Sequence, residues 1–240
     1  MEQRVKEIWN KHFGDDLDFL NKYFSTFYEP NNLIINPNIE ENGFIYMTLI
    51  VRYDYKYYNE ILPIGYITAV LTNPEYRNQG YFRITMHEVF QKLIENDFPI
   101  SCLIPATEQL LTTYIRYGYS NCFTDKREKD NNKSIIHNQK TFMLYKELGY
   151  NITTLKPNTN AMIRIIDVVR VMEAYAKSNP SLVEKYKIID NQIQKNNLYI
   201  NVSNGEIELN KKDGSYQEIN ISELTKLIFN GSYMDLMFDN

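Results

Sequence analysis

Apolar residues recur every three or four positions from the N-terminus, at Trp9, Phe13, Leu17, Leu20, Tyr23, Phe24 and Phe27, with charged residues between them. That spacing places one apolar stripe along a helix. Gly14, followed by Asp15 and Asp16, divides the stripe into two helices, one of the aspartates capping the second. The period then changes. "NNLIINPNIEENGFIYMTLIVRYDYKYYNEILPIGYITAVLTNPE" predicts consecutive strands, punctuated by Asn-Pro, Asn-Gly and a tyrosine-rich polar loop. Helical spacing returns at Phe82, Met86, Val89, Phe90 and Leu93. "FPISCLIPA" has the continuous apolar run of a buried strand, and "TEQLLTTYIRYG" is a short helix closed by Gly118.

Residues 34–123 therefore run as strands, helix, strand, helix, strand. This is an α/β order, in which ligands gather at the carboxyl ends of strands. Residues 124–140 are highly polar and read as an exposed hairpin tip or a mobile loop. A second unit starts at about Ala161. It opens with a strand running into a helix and continues with strands joined by Asn-Gly and Asp-Gly turns. It closes with the helix "ISELTKLIFNG", with Ser222 before the apolar stripe and Gly231 after it.

Composition narrows the class. With 240 residues, 43% of them hydrophobic and 23% charged, the chain has the make-up of a soluble globular protein. A net charge of -4 gives no electrostatic footprint for nucleic acid. No apolar run reaches membrane-spanning length, and the charged N-terminal stretch lacks a signal core, so the expected location is cytoplasmic. Cys102 and Cys122 sit in core-like sequence, and His12, His87 and His137 are far apart, so no metal site is expected. An assembly of identical chains is left open.

One stretch carries chemistry: "AVLTNPEYRNQGYFRITMHEVFQKL", Ala69 to Leu93. A strand, a glycine-containing turn and a helix N-terminus together offer unpaired N–H groups and the positive end of a helix dipole, an arrangement suited to phosphate. The plainer alternative is an exposed turn that only starts a helix. The segment "YRNQGYFR" resembles motif A of the GCN5-related N-acetyltransferases, a Gln/Arg-x-x-Gly-x-Gly/Ala pattern whose N–H groups bind the pyrophosphate of acetyl-CoA. Carried over by position, Arg77 opens the motif and Gly80 is its glycine. Asn78, Gln79, Gly80, Tyr81, Phe82 and Arg83 follow the phosphates, while Val70, Leu71 and Thr72 pair their backbone with the pantetheine arm. Phe82 stands where many members have Gly or Ala. A bulky residue there is similar to the enhanced-intracellular-survival branch.

"PISCLIPATEQLLTTYIRYGYSN" resembles the strand, corner and helix end of that branch, and "MIRIIDVVRVMEAY" and "SELTKLIFNGSY" are similar to parts of its sterol-carrier-protein-like domain. The resemblance implies an α/β (α+β overall) chain: a GNAT-type mixed sheet of six to seven strands with helices on both faces over residues 1–150, and a smaller α+β sterol-carrier-like unit over 151–240. It implies an N-acetyltransferase with acetyl-CoA as cosubstrate and a primary amine as acceptor, an aminoglycoside or another polyamine. Tyr114 would be the acid. A thiolate leaves when the amine attacks, and a phenol with pKa about 10 stays protonated to meet it. The α-carboxylate of Asn240 would be the base, and a backbone N–H of the Val70–Thr72 strand would polarise the carbonyl.

Plainer readings stand beside these. Tyr114 among 20 tyrosines could be packing, Glu108 a helix-start carboxylate, His87 a solvated residue and Cys102 a core residue. Tyr53, Tyr55, Tyr57 and Tyr58 could line an acceptor mouth or mark a strand edge. The alternative function is a non-catalytic coenzyme A or apolar-ligand binding protein.

Overall fold

Gly14, at φ 84°, ends helix α1 (Glu2–Phe13), and Asp16 starts α2 (Leu17–Phe27) by accepting the Phe19 N–H at 2.8 Å. The break occurs where the Gly-Asp-Asp sequence predicts it, because only a left-handed residue turns the chain out of α1 there. The computed structural model describes residues 1–38, 43–126, 132–210 and 214–236.

Strands β1 (Leu33–Asn38), β2 (Gly43–Tyr57) and β3 (Glu60–Thr72) form an antiparallel meander. Helix α3 (Tyr81–Glu95) then crosses over to β4 (Ile100–Leu103), which lies parallel to β3. After α4 (Glu108–Ile115) come β5 (Ser120–Asn121), β6 (Lys133–Ile136), α5 (Gln139–Glu147) and β7 (Met162–Ile165). The seven-stranded sheet has the order β1-β2-β3-β4-β7-β5, with β6 paired to β2. It is a mixed sheet with helices on both faces, as expected. Part of the polar 124–140 stretch is nevertheless a strand: Ser134 and Ile135 of β6 are buried against β2. Only a partner strand makes that segment ordered, and a local pattern cannot display it.

The two faces of the sheet are filled by alternate residues of the same strands. Tyr53, Tyr55 and Tyr57 of β2 enter one core together with Leu20, Tyr23 and Phe24 of α2. They are at most 1% exposed, so they line no acceptor mouth. Ile50 and Ile67 face the other way and meet Met86, Val89 and Leu93 of α3.

After β7 come α6 (Val168–Ser178), β8 (Glu184–Ile189), β9 (Tyr199–Ser203), β10 (Glu206–Asn210), β11 (Gln217–Asn220) and α7 (Ile221–Phe229). The four strands form a second sheet in the order β10-β9-β8-β11. Asn204 and Gly205, both at positive φ, make the hairpin turn that Asn-Gly predicts. The cap of α7 is Asn220 rather than Ser222. Asn220 accepts the Glu223 N–H at 3.0 Å while Glu223 accepts the Asn220 N–H at 3.1 Å, and Ser222 bonds Ser120 instead. Among the described residues, no helix is long and apolar enough to cross a membrane.

A buried ion pair joins these parts. Arg164 of β7 is fully buried and donates to both carboxylate oxygens of Asp190, at 2.9 and 2.8 Å. It also donates to the Tyr117 carbonyl beyond α4 and stacks 4.5 Å from the Phe90 ring. Asp190 accepts in addition from the Ile193 N–H and the Asn196 amide. Gly118 is required beside it, since a Cβ there would lie 1.8 Å from the guanidinium. Removing one partner of such a pair strands a buried charge. Asp190→Ala should therefore lower the stability to urea by about 3–5 kcal/mol. Replacing Arg164 and Asp190 together by apolar residues should recover much of that loss.

Burial also raises the phenols of Tyr23, Tyr53, Tyr55, Tyr57, Tyr114 and Tyr119 above the ordinary range. The unfolded chain loses these protons near pH ~10, while the folded chain keeps them. The stability they contribute is complete below that pH and is lost as pH rises above it. Urea midpoints should fall steeply above pH ~10; a flat profile there would contradict the burial of these hydroxyls.

Candidate active site

The site begins at a flaw in the β2–β3 ladder. Leu49 pairs Thr68 and Met47 pairs Leu71, so Ala69 and Val70 together face the single residue Thr48. Ala69 takes φ 52°, unusual for a residue with a Cβ. Such a bulge frees a backbone group from the ladder and bends the strand. On its other side, β3 pairs β4 only from Ile64–Ile67 to Ile100–Leu103. Beyond this point β3 runs on to Thr72 while the chain after Leu103 turns toward α4, and the two strands part.

Past the strand end, Asn73 ties the turn to the sheet: its N–H donates to the Ile45 carbonyl and its amide to the Phe44 carbonyl. Arg77 Nε returns to the Thr72 carbonyl at 3.2 Å, and the Gln79 amide to that of Glu75 at 3.2 Å. Asn78, at φ 62°, and Gly80, at φ 85°, turn the chain into α3, where no side chain caps the first N–H groups. Arg77, Asn78, Gln79, Gly80 and Arg83 are exposed. The turn thus presents an open helix N-terminus to solvent, suited to an anion. Tyr81 packs on Tyr46 and Tyr76. The bulk of Phe82 has a role: its ring lies 5.7 Å from Tyr114 and 5.5 Å from Tyr117, bracing α3 against α4.

Between the parted strands lies a cavity of about 500 Å³. Ala69, Val70, Leu103, Ala106, Leu110 and Tyr114 are among the residues that line it. Of the expected β3 contacts, Val70 faces this space, whereas the Leu71 side chain is buried in the core shared with α2 and Thr72 holds Arg77. Tyr114 is 4% exposed, and burial drives its phenol well above the ordinary range. Its ring contacts Phe82 and Tyr119, and the residue lines the cavity. A neutral phenol at a cavity wall can donate a proton or a hydrogen bond.

Sequence reading missed part of the lining: Trp9, Asp15, Phe19, Tyr66 and Tyr150 also border the cavity. Gly14-Asp15-Asp16 showed only as a helix break, and the aromatics only as core stripe. Asn240 lies outside the described residues. His87 is exposed, Glu108 begins α4, and Cys102 is buried.

Residues 2–122, just over half the chain, match the family model described as the Acetyltransferase (GNAT) domain. The chain belongs to the GNAT acetyltransferase family. It is accordingly an N-acetyltransferase, and the family relies on an acyl-CoA cosubstrate. Solved structures with the same fold include Eis1 from Mycobacterium abscessus, at TM-score 0.70 and 8% identity, covering 95% of this chain and 86% of that one. A GCN5-related N-acetyltransferase from Anabaena variabilis matches at 0.64 and 16%, covering 94% and 86%. Another from Kribbella flavida matches at 0.61 and 14%, covering 95% and 88%. At these identities the likeness shows the fold. No curated protein matches the sequence.

Proposed function

We propose that this GNAT protein transfers the acetyl group of acetyl-CoA to a primary amine. The observation that carries the reading is a convergence. Ala69 and Val70 of the β3 bulge line one cavity with Tyr114, and the same strand runs on to Thr72, from which the Asn73–Gly80 turn leads to the uncapped α3 N-terminus. The pyrophosphate would rest on the N–H groups after Gly80, and the pantetheine arm would run along Val70–Thr72. A backbone N–H freed at the bulge would polarise the thioester carbonyl. The neutral amine would attack the carbonyl carbon; as the C–S bond breaks, Tyr114 would give its proton to the departing sulfur, and the proton shed by the attacking nitrogen would return to the Tyr114 oxygen. The acceptor we favour is a polyamine-like small molecule or an aminoglycoside, in keeping with the resemblance of motif and fold to the enhanced-intracellular-survival branch.

We propose further that the second sheet with α6 and α7 is a sterol-carrier-like unit. Its apolar residues Ile188, Ile200, Val202 and Ile219 pack in one cluster with those of α6 and α7. That packing favours a structural role over apolar-ligand carriage. Since β7 belongs to the first sheet, the boundary of this unit falls after residue 165 in our reading.

A Cβ at position 80 would meet nothing within 4 Å, so Gly80→Asp leaves the core intact while putting bulk and negative charge where the phosphates sit. Calorimetry should find coenzyme A binding abolished in this variant; unchanged affinity would remove the turn from the site. Tyr114→Phe should lower kcat by roughly 10²-fold with coenzyme A affinity near wild type. A wild-type kcat would return Tyr114 to packing alone.

A further inference from the structure

We infer that His12, on α1, is a further cofactor-contacting residue: it meets a phosphate of coenzyme A, and binding the cofactor takes up a proton there. The inference rests on the coenzyme A reading above and deepens it.

Two parts of the chain converge on the start of β2. The Asn73 N–H donates to the Ile45 carbonyl and the Asn73 amide to the Phe44 carbonyl at 3.0 Å, which fixes the turn that carries Arg77. From α1, the His12 ring stands edge-on to the Phe44 ring, with 5.6 Å between centroids. Arg4 of the same helix donates to the Gly43 carbonyl. One short stretch of β2 thus holds both the end of α1 and the Asn73–Gly80 turn.

His12 also belongs to the face of α1 that the cofactor would pass. Trp9 and Phe13 line the cavity together with Ala69 and Val70. Positions 9, 12 and 13 share one side of a helix. A pantetheine arm laid along Val70–Thr72 toward the α3 N-terminus leaves the cavity between these residues and reaches the turn beside His12.

The charges there are of one sign. Lys11 precedes His12 on α1, and Arg77 acts on it from the turn; both are exposed. Among the described residues no ion pair neutralises Lys11 or Arg77. The carboxylates that follow on the chain are engaged elsewhere: Asp15 accepts Trp9 Nε1 at 2.7 Å, and Asp16 caps α2. Glu75 of the turn is exposed, and Phe44 of β2 is apolar. Burial, then Lys11 and Arg77, hold the His12 imidazole below its ordinary pKa of about 6.5. In the free protein it is therefore mostly neutral at pH ~7. Three basic groups from two elements repel one another until an anion stands among them. A phosphate does so, and an opposite charge favours the imidazolium. The proton comes from solvent, and the His12 ring gains it as the cofactor binds.

Calorimetric titration of coenzyme A into the full-length protein at pH ~7, in two buffers of different ionisation enthalpy, counts the protons exchanged. The wild-type protein should take up more protons per coenzyme than His12→Gln, whose side chain is neutral at every pH. The affinity gained between pH ~8 and ~6 should be roughly three- to tenfold greater in the wild type. Comparing the two proteins cancels the titration of the coenzyme's own phosphates. Equal proton uptake, or parallel pH dependence, would overturn the assignment. Should the variant fold poorly, NMR of the wild-type protein follows the His12 ring directly. Added coenzyme A must move its titration to higher pH; an unmoved or lowered titration overturns the assignment as well. Failure of the coenzyme A reading shows separately, as Gly80→Asp binding coenzyme A like the wild type. Loss of binding in Gly80→Asp, with equal proton uptake in wild type and His12→Gln, sinks the His12 assignment alone.

Discussion

A ligand can enter a β-sheet only where two neighbouring strands stop bonding to each other. In this protein that condition is met between β3 and β4. Their parallel pairing covers four residues of each strand and then ends, while β3 continues to Thr72. On the other side, against β2, the register shifts at the Ala69–Val70 bulge. The cavity lined by Ala69, Val70, Leu103 and Tyr114 lies at this interruption.

An open seam needs rigid flanks. On one side, Asn73 and Arg77 bind the turn back to the sheet, and Phe82 ties the first turn of α3 to α4. On the other, Arg164 joins β7, the end of α4 and the second sheet through one buried pair with Asp190. Burying that charge is costly, and only the two carboxylate contacts, the Tyr117 carbonyl and the Phe90 face together offset it. The second sheet therefore does more than extend the chain. Its Asp190 completes the scaffold on which α4, and with it Tyr114, is held.

Local features were legible in the sequence. Gly80 at a helix start, the Gly14-Asp15-Asp16 break and the Asn204-Gly205 hairpin each depend on φ values or caps that a few residues dictate. Features made by distant partners were not. Ala69 gives no hint of positive φ, because the bulge arises from the register of β2. The β6 segment looks polar until β2 lies beside it, and β7 joins the first sheet only because Arg164 and its neighbours are drawn between β4 and β5. The alternating tyrosines of β2 displayed strand periodicity but not which face is buried. Asp15 was read correctly as part of a helix break. Its place on a cavity wall depends on how α1 packs across the sheet, which no spacing encodes.

The central claim is that the parted strands are a coenzyme A channel ending at Tyr114. A crystal structure of the protein with coenzyme A tests it most directly. The account predicts pyrophosphate oxygens on the N–H groups following Gly80, the pantetheine arm along Val70–Thr72, and the sulfur facing the Tyr114 hydroxyl. A coenzyme bound with its pantetheine arm outside the β3–β4 opening, or with its sulfur turned away from Tyr114, would contradict it.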